Sequence, residues 1–205
     1  MINSSDKIKK QQIVPDRQIE ISNEIHLELL DQCHKSTLFQ TVVKNRYFIN
    51  DACDWANHFT DESSSKQFIN YFKHRESQGK QFCYAIIQEN KLIGCVSIIL
   101  TKGQGEIGYW LDKDMNGRGY VTQSANALIN LGFAKYNCKE IILKCQQVNL
   151  KSSNVALRLG FKFNKTFEET LNVNGKDWVI DEYILTEDQF INQNQHKQQS
   201  KSTSE

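Results

Sequence analysis

Residues 106–123 read E-I-G-Y-W-L-D-K-D-M-N-G-R-G-Y-V-T-Q, and the three parts of this stretch set how the rest of the chain is read. Glu106 to Leu111 carries Ile107, Tyr109, Trp110 and Leu111, which suit a pleated, half-buried surface, so it is a strand. Asp112 to Met115 breaks the apolar pattern, and Asn116-Gly117-Arg118-Gly119 is a glycine-spaced turn. Val121, Ala125, Leu128, Ile129 and Gly132 then recur at steps of three and four, which is a helix face. A strand feeding a glycine loop that opens a helix suits an anion. The first N–H groups of a helix lack internal partners, the helix dipole adds positive charge there, and glycine lets a phosphate approach the backbone.

Two familiar phosphate loops fail on these residues. No third glycine follows Gly117-Arg118-Gly119 at the dinucleotide spacing, and no G-K-[ST] follows as a P-loop requires. Taken alone, the loop therefore keeps two readings. It holds a different pyrophosphate, or Asn116-Gly117 is a plain hairpin turn, a role for which that pair is the strongest short signal.

The bulk properties narrow the field. At 205 residues the chain can bury one full-sized core, and a net charge of +1 supplies no field for nucleic acid or a membrane surface. The longest apolar runs, such as Ile93 to Leu100, are strand-sized, and the polar start M-I-N-S-S-D-K-I-K-K is no secretory signal. The six cysteines form no C-x-x-C and no metal-type pairing with histidine. These features point to a cytoplasmic, reduced protein with no metal.

Along the chain, residues 1–16 are polar and expected to be flexible, 17–190 form one domain, and 191–205 form a disordered Gln- and Asn-rich tail. Gln18 to Leu30 reads as one strand bent near Ser22-Asn23. Helical spacing covers Gln32 to Asn45, a second short helix continues to Trp55, and Ser63, Ser64 or Ser65 caps a third that ends at Gly79. Strands Phe82–Gln88 and Leu92–Thr101 form a hairpin at Glu89-Asn90-Lys91. After the glycine loop and its helix come a strand at Glu140–Gln147 and a short helix, Ser152–Leu159, closed by Gly160. A final strand pair follows, Phe161–Phe167 and Trp178–Leu185, with its turn near Asn174-Gly175. The order is α+β.

Asn149 to Phe161 reads N-L-K-S-S-N-V-A-L-R-L-G-F. Its N-x-x-S-x-x-V-A-x-x-x-G-F pattern, about thirty residues after the glycine loop, resembles the second acetyl-CoA motif of the GNAT acetyltransferases. The likeness is to their ribosomal-protein N-terminal (serine/alanine) branch in particular. N-G-R-G-Y-V-T is a close relative of that family's pyrophosphate loop, E-I-G-Y-W-L matches the strand before it, and Asn45 to Trp55 is similar to the branch's N-R-x-x-L…W segment. Two linked motifs in the right order displace the hairpin reading. The resemblance spans about Gln18 to Glu187.

The resemblance implies a mixed, mostly antiparallel sheet of about seven strands flanked by helices, with a V-shaped splay between the two central strands. It also implies acetyl-CoA as co-substrate, direct transfer to an amine in a ternary complex, and a monomer or homodimer. Backbone near Trp110 and Leu111 would bond the pantetheine arm. Asn116, Gly117, Arg118, Gly119, Tyr120, Val121 and Thr122 would take the phosphates, and Asn149 and Asn154 would line the second motif. Asn149 would orient the pantetheine arm through its side-chain amide, with a turn residue after the strand as the alternative. Ser152 either protonates the departing thiolate or caps its helix. The branch's basic glutamate falls here on Leu171, with Glu168 and Glu169 close by, so the base is Glu169 or, as in other branches, Glu106. Tyr183 and Asp181 lie near the expected acceptor entry.

Three functions remain open: acetylation of a protein N-terminus, acetylation of a small amine, or a coenzyme-binding module without turnover. The acidic set Asp51, Asp54, Asp61 and Glu62 speaks for a polyamine or aminoglycoside, and the missing glutamate at Leu171 for the binding module.

Overall fold

The computed structural model describes residues 13–52, 55–167, 171–173 and 176–202. The chain opens with β1 (Gln18–Glu20) and β2 (Ile25–Leu29), an antiparallel pair with Ile19 opposite Leu27. Where one bent strand was expected, the chain reverses. Ser22 Oγ accepts from the N–H groups of Glu24 and Ile25, and alternation alone cannot tell a bend from such a turn.

Three helices follow: α1 (Lys35–Lys44), α2 (Arg46–Asn50) and α3 (Glu62–Ser77). The cap of α3 is Asp61 and not one of the serines. Its carboxylate accepts from the N–H groups of Ser63 and Ser64, and Ser64 Oγ returns toward the Asp61 backbone.

Strands β3 (Gln81–Gln88), β4 (Lys91–Thr101) and β5 (Gln104–Leu111) make the expected meander. Its first turn puts Glu89 and Asn90 at φ 47° and 62°, the left-handed pair of a tight hairpin. Next come α4 (Tyr120–Ala134), β6 (Glu140–Gln146), α5 (Leu150–Arg158) and β7 (Lys162–Thr166). A small hairpin, β8 (Leu171–Val173) with β9 (Lys176–Trp178), precedes β10 (Ile180–Thr186) and α6 (Glu187–Ser202).

The sheet has eight strands, one more than expected, in the order β1-β2-β3-β4-β5-β6-β10-β7. The small hairpin stands apart as a second sheet. All neighbours run antiparallel except β5 and β6. That parallel pair holds only from Gln104–Glu140 to Ile107–Leu143, while β5 stays paired with β4 out to Leu111. From Gly108 onward β5 has lost one neighbour, and this is the splay. Gly94 of β4 lets the backbone of β5 come close at Trp110 and Leu111, because a methyl group there would overlap the Trp110 carbonyl.

Each face carries its own core. One packs α4 and α5 through Leu128, Ile129, Phe133 and Ala156 onto Val96, Ile107, Ile141 and Leu143. The other packs α1 and α3 onto Cys83, Ala85 and Cys95, with Trp55, Phe68, Phe72 and Trp110 around it. α6 runs through most of the segment expected to be a disordered tail. Its first turns are anchored by Gln189 on Thr186, Phe190 on Phe133 and Gln193 on the Gly160 carbonyl. Of these anchors only Gln193 belongs to the segment expected to be a tail.

Candidate active site

The splay leaves a gap between β5 and β6 beyond Ile107 and Leu143. Alternation sorts the side chains. Ile107, Tyr109 and Leu111 of β5 and Ile141, Leu143 and Cys145 of β6 face α4 and α5. Glu106, Trp110, Lys144 and Gln146 therefore face the other way.

On the α4–α5 face, the glycine loop reaches the helix through two left-handed glycines, Gly117 at φ 82° and Gly119 at φ 79°. Gly119 is the N-cap of α4 and supplies no side-chain bond, so the first amides of the helix open onto the loop. Tyr120 is placed by its buried hydroxyl, which donates to Glu24 Oε2 and accepts from Gln88 Nε2, both at 2.9 Å. Its backbone N–H is what remains for a ligand. Asn116 Nδ2 closes the loop on the Lys113 carbonyl at 3.0 Å, Val121 and Thr122 are half-buried, and Arg118 is exposed.

α5 begins across the gap. Asn149 is its N-cap, with Oδ1 accepting from Ser152 N–H at 3.1 Å. The cap expected of Ser152 is thus made by Asn149, and the serine hydroxyl lies 2.8 Å from Tyr109 OH instead. Asn154 is exposed further along the helix. Burial pushes the Tyr109 phenol up to about 12, and the bond to Ser152 offsets only part of that. At neutral pH the phenol keeps its proton and can donate it to Ser152 Oγ. Cys145 shares this wall. Burial raises its thiol, against a smaller lowering by a hydrogen bond with Ser152. Tyr183 and Asp181 of β10 lie on the same face, with Asp181 opposite Cys145.

On the opposite face Glu106 is paired with Lys144 at 3.1 Å, and Lys144 lies 3.9 Å from Glu182. Farther along, a cavity of about 390 Å³ is lined by Asp51, Gln146, Gln147, Val148, Asp177, Trp178 and Val179. Of the expected acidic set only Asp51 joins it. Asp61 is consumed as the α3 cap, Glu62 binds Lys35 and Ser36, and Asp54 lies outside the described residues. Glu168 and Glu169 also lie outside them. Among the described residues no group of histidine, cysteine and carboxylate side chains is placed to hold a metal.

Tyr109, Cys145, Gln146 and Trp178 went unnoticed as site residues in the sequence. Tyr109 had a usable signal, since alternation from Ile107 puts it on the helix-covered face beside the glycine loop.

A family model described as an acetyltransferase (GNAT) domain matches residues 28–162. The ribosomal-protein-serine acetyltransferase of Escherichia coli (strain K12) is 30% identical over 148 residues, covering 70% of this chain and 82% of that protein. Among solved structures, the microcin C7 self-immunity acetyltransferase MccE, in complex with acetyl-CoA and AMP, superposes with a TM-score of 0.79 at 25% identity over 85% of this chain and 98% of that one. RimL, the ribosomal L7/L12 alpha-N-protein acetyltransferase, in complex with coenzyme A, gives a TM-score of 0.78 over 82% of this chain and 97% of that one; at 24% identity it speaks for the fold. The domain match over most of the chain and the 30% identity to a curated enzyme agree with the two-motif reading, and on them the chain belongs to the GNAT acetyltransferase family.

Proposed function

We propose that the chain transfers acetyl from acetyl-CoA to the N-terminal α-amine of a polypeptide, with a ribosomal protein as the acceptor suggested by its relatives. The observation that carries the reading is the parting of β5 from β6 after Ile107, with Ser152 and Tyr109 on one face of the sheet and Glu106 on the other.

The residues present fit the donor. The uncapped amides at Gly119 to Thr122, with Gly117 and Arg118, suit the phosphates. The unpaired edge of Gly108 to Leu111 offers strand-type bonds to the amides of the pantetheine arm, and Asn149 and Asn154 stand on the far wall. When bound, acetyl-CoA supplies an activated acyl group, and no acyl-enzyme is needed. Glu106, held by Lys144, takes the proton from the incoming ammonium so that the amine can attack. Ser152 gives a proton to the departing thiolate, and Tyr109 donates to Ser152 Oγ. Proton removal and proton delivery thus lie on opposite faces of the sheet and do not compete for the same space. No helix among the described residues is long and apolar enough to cross a membrane.

The cavity favours a second reading. At about 390 Å³, with Asp51 and Asp177 in its wall, it is the size of a small-molecule site and suits a small cationic amine. Thiol release with acetyl-CoA, read against peptides with free serine or alanine N-termini and against polyamines and aminoglycosides, separates the two. Peptide turnover with a kcat/KM at least tenfold above any small amine supports the first reading, and the reverse order replaces it with the second. No thermal stabilisation by acetyl-CoA would sink both, because a ligand of the native state must raise its stability.

A further inference from the structure

Asn45 sits where α1 ends and α2 begins and is 1% exposed. An asparagine in that place is well suited to cap the new helix, yet its side chain makes no capping bond to α2. Instead Nδ2 donates back to the Thr41 carbonyl at 2.9 Å, and Oδ1 accepts from the backbone N–H of Lys113 at 3.0 Å. Lys113 lies 68 residues away, at the entry to the glycine loop. An amide suits this place because one end accepts while the other donates; a carboxylate would face the Thr41 carbonyl with no proton to give, and an aliphatic chain would strand both partners.

Lys44 adds a second tie to the same segment. Its Nζ lies 2.7 Å from Asp112 Oδ2 and 2.8 Å from Asp114 Oδ2. The Lys44–Asp114 pair is exposed at both ends and worth little, whereas Asp112 is buried and so is the Asn45 bond, which is expensive to leave unmade. Asn45 and the Lys44–Asp112 pair together hold the loop entry.

From Asn45 the chain runs straight into α2, which touches the rest of the site. Phe48 lies under Lys151 of α5 at 5.3 Å. Asp51, just past the helix, lines the cavity, and its carbonyl accepts from Gln146 Nε2 at 3.1 Å. One short helix thus connects the donor loop, α5 and the cavity wall.

We infer that Asn45 is a positioning residue that fixes the entry of the donor loop and couples it through α2 to the acceptor cavity; this rests on the acetyl-CoA reading above. Ordering the loop around the donor then also orders the cavity wall. By linkage, a bound acceptor tightens the donor by the same factor.

The test is calorimetry with acetyl-CoA together with amide exchange read by mass spectrometry on the full chain. In the wild type, acetyl-CoA slows exchange at residues 113–122 and also at 46–52. Asn45→Ala weakens acetyl-CoA about tenfold, and in that variant binding protects 113–122 but no longer 46–52. Should Asn45→Ala fail to fold, Lys44→Met probes the same junction from its exposed end, with affinity down about two- to threefold and protection at 46–52 reduced. Unchanged affinity and protection in the variant that folds overturns the inference and leaves the donor reading standing. So does a wild type that binds acetyl-CoA without protecting 46–52. A wild type that does not bind acetyl-CoA overturns both.

Discussion

Two helices of this protein solve the same problem in opposite ways. α3 begins at Asp61, whose carboxylate takes the amides of Ser63 and Ser64 while Ser64 Oγ reaches back. α4 begins at Gly119, which is left-handed and brings no side-chain acceptor. A missing cap costs about 1 kcal/mol. α4 can bear it because Leu128 and Ile129 are fully buried, and each such side chain contributes about 2 kcal/mol. α3, with a polar outer surface, buries only Ser65 and Ile69 fully and closes its own end. The contrast shows that α4 keeps its first amides open at little cost to its own stability, as the proposed phosphate site requires.

The most direct way to break this contrast is to close α4 from within. Gly119→Asp places an anion where phosphate is proposed, at a φ that side chains resist. Acetyl-CoA affinity should fall about a hundredfold in calorimetry, and an unchanged affinity would mean the phosphates bind elsewhere. Ser152→Ala should lower kcat about thirtyfold with the acetyl-CoA affinity unchanged, because Asn149 and not Ser152 is the cap of α5. A matched loss of stability would return Ser152 to a structural role. Tyr109→Phe should lower kcat about fivefold, and the pH–rate profile of the wild type should show no limb from this phenol below about pH 11. The sign follows from burial: a phenol pushed up to about 12 stays neutral and able to donate throughout that range. The smallest effect belongs to the closed helix. Asp61→Ala should remove about 1 kcal/mol, or about 2–4 °C of Tm, with acetyl-CoA affinity unaltered. Loss of affinity there would erase the distinction between the two helix starts.

The sequence was legible where the signal was local. Glu106 to Gly132 declared a strand, a glycine turn and a helix because the periodicity changes within a few residues of the change in structure. Gly160 marked the end of α5 for the same reason, although its start lies at Leu150, capped by Asn149, and not at Ser152. Local patterns also misled. Three serines looked like caps while Asp61, just before them, had the stronger acceptor, and an alternating run from Gln18 concealed a reversal.

What the chain by itself determined is the glycine loop, the second motif and the family they belong to, since each is written in a dozen consecutive residues whose backbone needs are local. Only the tertiary structure decided that Tyr109 meets Ser152 across 43 residues, that Asn45 meets Lys113 across 68, and that Glu106 pairs with Lys144 across 38. The physical reason is that backbone geometry is set by neighbours along the chain, whereas a side-chain partner is set by register and by the strand that ends early. The parting of β5 from β6 after Ile107 is a property of the whole sheet and of no single stretch within it.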